Sequence, residues 1–129
     1  VQLVVDNIQW IMLIVGVLTL TMLQGVFAPK AAIRSYFDED LSSPALTIVV
    51  RNWSFLIVLT AVFLLYAAFI EPAWRVPALI LSGAGKLCFV VLVFAAGGRY
   101  AKRRAFTAAI LDGVFIAVFA LYLFTVAAS

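Results

Sequence analysis

From Val76 to Gly98 the chain is apolar for the length of a bilayer crossing, and one lysine, Lys86, stands at its centre. A helix crosses a hydrocarbon core with roughly 20 consecutive apolar residues. A lysine at mid-membrane costs about 2.5–3.5 kcal/mol on insertion scales, so it is expected to have a partner or a water-filled niche. That one residue limits the folds open to the chain: its segment must sit against other segments that shelter the charge.

Composition extends the constraint to the whole chain. Of 129 residues, 67% are hydrophobic and 12% charged, with a mean hydropathy of +1.20. Soluble domains run about 45–50% apolar and 25% charged. Too little polar surface is available to coat a water-soluble globule, so the expected class is an all-α integral membrane four-helix bundle, a single transmembrane domain over residues 1–129. Its spans are expected at about 8–27, 44–70, 77–97 and 105–126. Residues 8–27 are too long and too uniformly apolar for a signal-peptide core, and are read as a true span.

The connections carry their own signals. Pro29 closes the first span, and in the following segment Ile33, Tyr36 and Phe37 recur at helical spacing, with Lys30 and Arg34 on another side. This pattern predicts a short interfacial helix in the first connection, lying among headgroups. Asp38, Glu39 and Asp40 then read as a solvated turn, a cation patch being the competing reading. Ser43-Pro44 is a helix start, with serine as N-cap and proline in the first turn. Arg51 and Trp53 lie roughly 10 Å inside that second span at 1.5 Å per residue, where Trp53 suits an interfacial belt and Arg51 can snorkel. Glu71-Pro72 ends the span. Gly97-Gly98 ends the third, and Arg99, Lys102, Arg103 and Arg104 follow it.

The basic residues are unevenly shared. Lys30, Arg34, Arg51, Arg99, Lys102, Arg103 and Arg104 belong to the side of the first and third connections, and Arg75 alone to the other. Under the positive-inside rule both termini face outward and both long connections face the cytoplasm. These residues, with Tyr36 and Trp53, are the expected lipid-contacting set. Clustering beside apolar segments directs them to anionic headgroups and away from nucleic acid.

No histidine and a single cysteine, Cys88, exclude the usual zinc, haem and iron–sulfur ligand sets, so no cofactor is expected. Nucleophile–base catalysis lacks its customary base, and the chain is not read as an enzyme. Ser82-Gly-Ala-Gly-Lys86 resembles a fragment of a phosphate loop but lacks its spacing and its strand. Its glycines are expected to serve close helix contact. Cys88 is expected to be a small buried hydrophobe.

Lys86 and Asp112 are the informative pair. Counted from the short connection between the third and fourth spans, they lie roughly 16 Å and 10 Å deep at the helical rise. Lysine's stem covers the difference. The pair, with Ser82 one turn before Lys86, is expected to form a structural ion pair or a ligand site.

The layout resembles the DoxX-like small four-helix bacterial membrane proteins. The likeness rests on four short spans, the amphipathic first connection Pro29 to Ser43, and the basic third connection Arg99 to Arg104. It implies a bacterial inner-membrane location, and some members of that group are membrane partners of oxidoreductases. No site residue of the family matches by position. Two functions remain, the first ranked above the second: an accessory or scaffolding subunit of a larger membrane complex, electron-transfer among the kinds considered; and, as the alternative, a small transporter or lipid/quinone-binding protein using Lys86 and Asp112. Partners are membrane lipids and a membrane protein or a second copy of the chain.

Topology is directly testable. A cysteine at position 129 should react with an impermeant maleimide on intact cells, and one at position 102 only after permeabilisation, both in a Cys88→Ser background. Protection of position 129 would reverse the orientation.

Overall fold

The computed structural model describes residues 1–128; Ser129, one end of the topology test, lies outside the described residues. The helices are α1 (Gln2–Asp6), α2 (Ile8–Leu20), α3 (Leu23–Phe27), α4 (Pro29–Phe37), α5 (Pro44–Phe69), α6 (Arg75–Ala95) and α7 (Arg104–Ala128). Short 3-10 turns at Pro72–Trp74 and Gly97–Tyr100 join the last three. Four stretches are long and apolar enough to cross a membrane: Ile8–Phe27, Pro44–Phe69, Pro72–Ala95 and Arg104–Ala128. Exposed apolar side chains, such as Ile48, Leu92 and Phe124, cover the outside of the bundle, as a lipid-facing exterior requires.

Local signals place most helix ends. Ser43 has extended backbone angles, and its hydroxyl accepts from the Leu46 amide at 3.4 Å, with Pro44 as the first helical residue. Gly97 follows α6 at φ +70°, a left-handed conformation that glycine adopts without a Cβ clash. The third span begins earlier than expected, at Arg75, because Pro77 is tolerated anywhere in a first turn, where its missing N–H has no intrahelical acceptor.

The first span is not one continuous helix. At Thr21–Met22 the ladder tightens: the Thr21 amide donates to Leu18 and the Met22 amide to Thr19, three residues back. Thr19 and Thr21 also turn their hydroxyls onto the carbonyls of Val15 and Leu18, competition that loosens a helix at this point. The inward face of α2 is Ile8, Met12, Val15, Gly16 and Thr19. Gln2, Gln9, Gly16 and Leu23 share a heptad stripe in the sequence, expected to pack inward; it does so only in part, since Gln2 and Leu23 are exposed.

α2 lies along α5, α6 pairs with α7, and α5 also packs on α6, while α1 and α4 both reach α7 and close the ring. The two halves of this bundle differ. Near the Pro72–Trp74 turn, Ile8, Met12, Val15, Leu64, Ala67, Ala68, Ala78, Leu79 and Phe119 form one packed core drawn from all four spans. Alanines on α5 and α6 let the helices close while Met12 and Phe119 fill the centre. In the other half Thr60, Ser82, Lys86 and Asp112 face inward, and the helices enclose space.

Glycine tightens only the first span. A Cβ on Gly25 would collide with the Ser54 side chain, and one on Gly16 would come within 2.8 Å of Leu65. Gly83 and Gly85 do not serve helix contact: a Cβ on Gly83 would reach only Phe119, at 3.7 Å, and one on Gly85 would meet nothing within 4 Å.

Arg75 fastens the packed end. Its guanidinium donates to the Ala67 carbonyl at 3.3 Å, to the Ala68 carbonyl at 2.6 Å and to Gln9 Oε1 at 3.4 Å. It thereby satisfies two carbonyls at the end of α5, where helices leave acceptors unpaired, and ties α5 to α2. Arg75→Ala should lower stability by about 1.5–3 kcal/mol, the range for hydrogen bonds to a charged group. Arg75→Lys should recover less than half, because an ammonium lacks the span and fixed fork with which the guanidinium reaches acceptors on two helices. Unfolding of the purified protein in a detergent titration measures both; an unchanged midpoint for Arg75→Ala would refute the staple.

Candidate ligand site around Lys86 and Asp112

The hollow half of the bundle is a partly open cavity of about 340 Å³, lined by all four spans and roofed by α4. Its polar centre is the expected pair. Lys86 Nζ donates to Asp112 Oδ1 at 3.0 Å, with the two side chains 11% and 19% exposed. α6 and α7 run antiparallel here, and Ala105 and Ala109, both fully buried on α7, let the helices lie close. The Phe115 ring centroid stands 5.6 Å from the ammonium, adding a weak cation–π attraction.

The pair leaves hydrogen-bonding capacity unspent. Lysine carries three N–H donors, and among the described residues Asp112 is the one hydrogen-bond acceptor of Lys86. Ser82, one turn earlier on the same face of α6, is 3% exposed, and its hydroxyl has no partner among the described residues. An unpaired buried hydroxyl costs desolvation energy unless something bonds it. Ser82 lines the cavity, so a cavity occupant can supply that bond. Thr60 and Thr19, also on the wall, spend their hydroxyls on backbone carbonyls.

Most of the remaining wall is apolar and aromatic, with Thr21, Thr107 and Arg104 also bordering the space. Ile33, Tyr36 and Phe37 of α4 form the roof, with Trp53, Phe89 and Phe115 around the sides. Trp53 is half-buried on this wall as well as near the start of α5. The expected short helix at residues 30–37 is thus present, its apolar side turned onto the bundle with Ala32 buried.

A network of charges holds α4 and its following turn to the third connection. Arg99 meets Glu39 Oε1 at 2.8 Å, and the Tyr100 hydroxyl donates to the other oxygen. Arg103 meets Asp38 at 3.0 Å, and Arg34 meets Asp40 at 3.2 Å. Arg104 donates to Ser35 Oγ at 2.8 Å and lies over the Tyr36 ring at 4.8 Å. Tyr100's hydrogen bond, helped by the Arg99 charge, holds the Glu39 carboxyl below its usual range, and the same bond raises the tyrosine's own pKa. The acidic triplet is therefore more than a solvated turn: each of its carboxylates faces a basic side chain. Opposite charge on two connections at one end of the bundle was the available signal, but a separation of about sixty residues hid the pairing.

Other expected residues lie outside the cavity. Lys30, Arg51 and Lys102 are exposed on the surface. Arg34, Arg99 and Arg103 belong to the charge network, and Arg104 both joins it and borders the cavity. Cys88 is exposed, not buried, because α6 turns Ser82 and Lys86 inward and leaves Cys88 on its outer side. It borders a second hollow, a groove of about 670 Å³ between α5 and α6.

Comparison with protein-family models, curated proteins and solved structures gives no match for this chain. The site's chemistry therefore rests on its own geometry. If the pair is a sheltered unit, Lys86→Met alone should destabilise by about 3–5 kcal/mol, since it strands a carboxylate. Adding Asp112→Leu should restore most of that loss. Detergent unfolding midpoints of the two singles and the double decide it, and additive losses in the double would show that the charges do not interact.

Proposed function

We propose that the protein binds a small amphipathic molecule, a lipid or a quinone, inside its four-helix bundle, with Lys86, Asp112 and Ser82 holding the polar end. The observation that carries this reading is the cavity of about 340 Å³ with an ion pair and an unpartnered hydroxyl in otherwise apolar walls. Sites for small ligands are commonly hollows of about 300–1,000 Å³, mostly apolar with a few convergent polar groups. A purely structural ion pair would be better served by close packing, since a void beside it forfeits dispersion contacts.

Transport remains a less favoured form of the same site. A conducting path needs polar groups along its length, whereas the end of the bundle beyond the ion pair is packed with apolar side chains. The accessory-subunit reading draws on the apolar exterior, which a bilayer covers as well as a partner helix does. Part of the same proposal is a bacterial inner-membrane protein of the DoxX-like layout with both termini outward. Its support is the seven-to-one basic asymmetry and the ion pairs that join the first and third connections at one end.

Native mass spectrometry of the protein purified in mild detergent should find one small molecule per chain. Lys86→Met with Asp112→Leu should lose it while remaining folded. Release of a stoichiometric protein partner, with no small molecule bound, would return the accessory-subunit reading to first place.

A further inference from the structure

The cavity and the groove between α5 and α6 share part of their walls: Phe37, Trp53, Ile57, Thr60, Gly85 and Phe89 border both. At Gly85 that common wall has no side chain, and a Cβ there would meet nothing within 4 Å. Beyond it the groove runs out to the lipid-facing exterior, where Leu56, Leu81 and Leu92 are at least half exposed. Gly85 is also the residue before Lys86, and Ser82 lies less than one turn away. The polar centre, the gap and the apolar groove therefore follow one another along α6.

We infer that the occupant is a neutral, carbonyl-bearing lipid with one long apolar chain, which enters from the membrane and lays that chain past Gly85 into the α5/α6 groove. This rests on the ligand-binding reading above and specifies its ligand. The head is neutral because Lys86 is already balanced by Asp112 at 3.0 Å. At Lys86 an anionic head would have to displace the carboxylate and strand it in an apolar site, an unfavourable exchange. Arg104, the other cation lining the cavity, already donates to Ser35 and lies over the Tyr36 ring. A carbonyl oxygen instead accepts from a remaining Lys86 N–H and from the Ser82 hydroxyl, two donors one turn apart on one helix face. The tail is single because the common wall lacks one side chain, at Gly85. The groove is the tail's place because it is apolar and shares that wall with the polar site, so the ligand's two ends match the two hollows.

Trp53, which borders both spaces, is the natural reporter. With Trp10→Phe and Trp74→Phe it becomes the sole tryptophan of the three in the chain. The purified protein in detergent is titrated with a monoacylglycerol brominated at mid-chain, which quenches on contact. Saturable quenching at one per chain is expected, at least tenfold tighter than for the brominated fatty acid carrying the same tail as a carboxylate. Gly85→Leu should weaken long-chain binding at least tenfold with an unchanged melting temperature, because the new side chain enters open space. A six-carbon monoacylglycerol should compete equally in wild type and Gly85→Leu. A decyl-substituted benzoquinone tests the other source of the same head chemistry: either neutral probe outcompeting the carboxylate supports the inference, and the tighter one names the source. Wild-type affinity in Gly85→Leu, or a preference for the carboxylate, overturns the inference and leaves the ligand site standing. No saturable quenching by any of the probes overturns the ligand site as well.

Discussion

A lysine and an aspartate inside an apolar bundle must meet, and much of the arrangement follows from that requirement. Neither charge can face hydrocarbon at acceptable cost, so the rotational phase of α6 and the register of α7 are set together. Bringing Lys86 Nζ to 3.0 Å from Asp112 directs Ser82 inward as well and leaves Cys88 on the outer side of α6. Alanines on α7 allow the approach. The pair is a constraint on orientation more than a source of net stability, since removing two charges from water offsets most of their attraction.

The bundle is fastened differently at its two ends. At the packed end, Arg75 bridges the last carbonyls of α5 and the side chain of Gln9 above a continuous apolar core. At the other end the fastening is ionic and water-exposed, Asp38 and Glu39 of the acidic turn meeting Arg103 and Arg99 of the third connection. Exposed ion pairs contribute little singly and are screened by salt. The roof over the cavity is thus held by the weaker kind of contact, while the floor is held by close packing. The break in the first span at Thr21–Met22 lies on the hollow side, beside Leu18 and Thr19 of the cavity wall. Departure from regular structure and open space coincide there.

Features set by local chemistry were legible in the chain. The four spans follow from run length and hydropathy, the start of α5 from Ser43-Pro44, and the end of α6 from Gly97-Gly98. The short helix in the first connection follows from the spacing of Ile33, Tyr36 and Phe37. The Lys86–Asp112 contact was legible for an energetic reason: two deep charges of opposite sign in adjacent spans have few alternatives. Which face of each helix turns inward was much harder to read. A membrane helix shows little amphipathic contrast, because lipid is as apolar as the core. The burial expected for Cys88, the helix contacts expected at Gly83 and Gly85, and the stripe through Gln2 and Leu23 all failed for that reason.

The sequence by itself determined that the chain is all-helical with four apolar spans, where each begins and ends to within a few residues, and which two charges must be sheltered together. These are properties of single segments, fixed by the bilayer-length rule, by capping chemistry and by the cost of a lone charge in hydrocarbon. Only the tertiary structure decided that one half of the bundle is solid and the other hollow. It also decided that Ser82 has no partner among the described residues, that Trp53 and Gly85 border two adjoining spaces, and that the acidic turn meets the basic connection some sixty residues on. A cavity is the volume that side chains from four helices fail to fill, and no single segment carries that quantity.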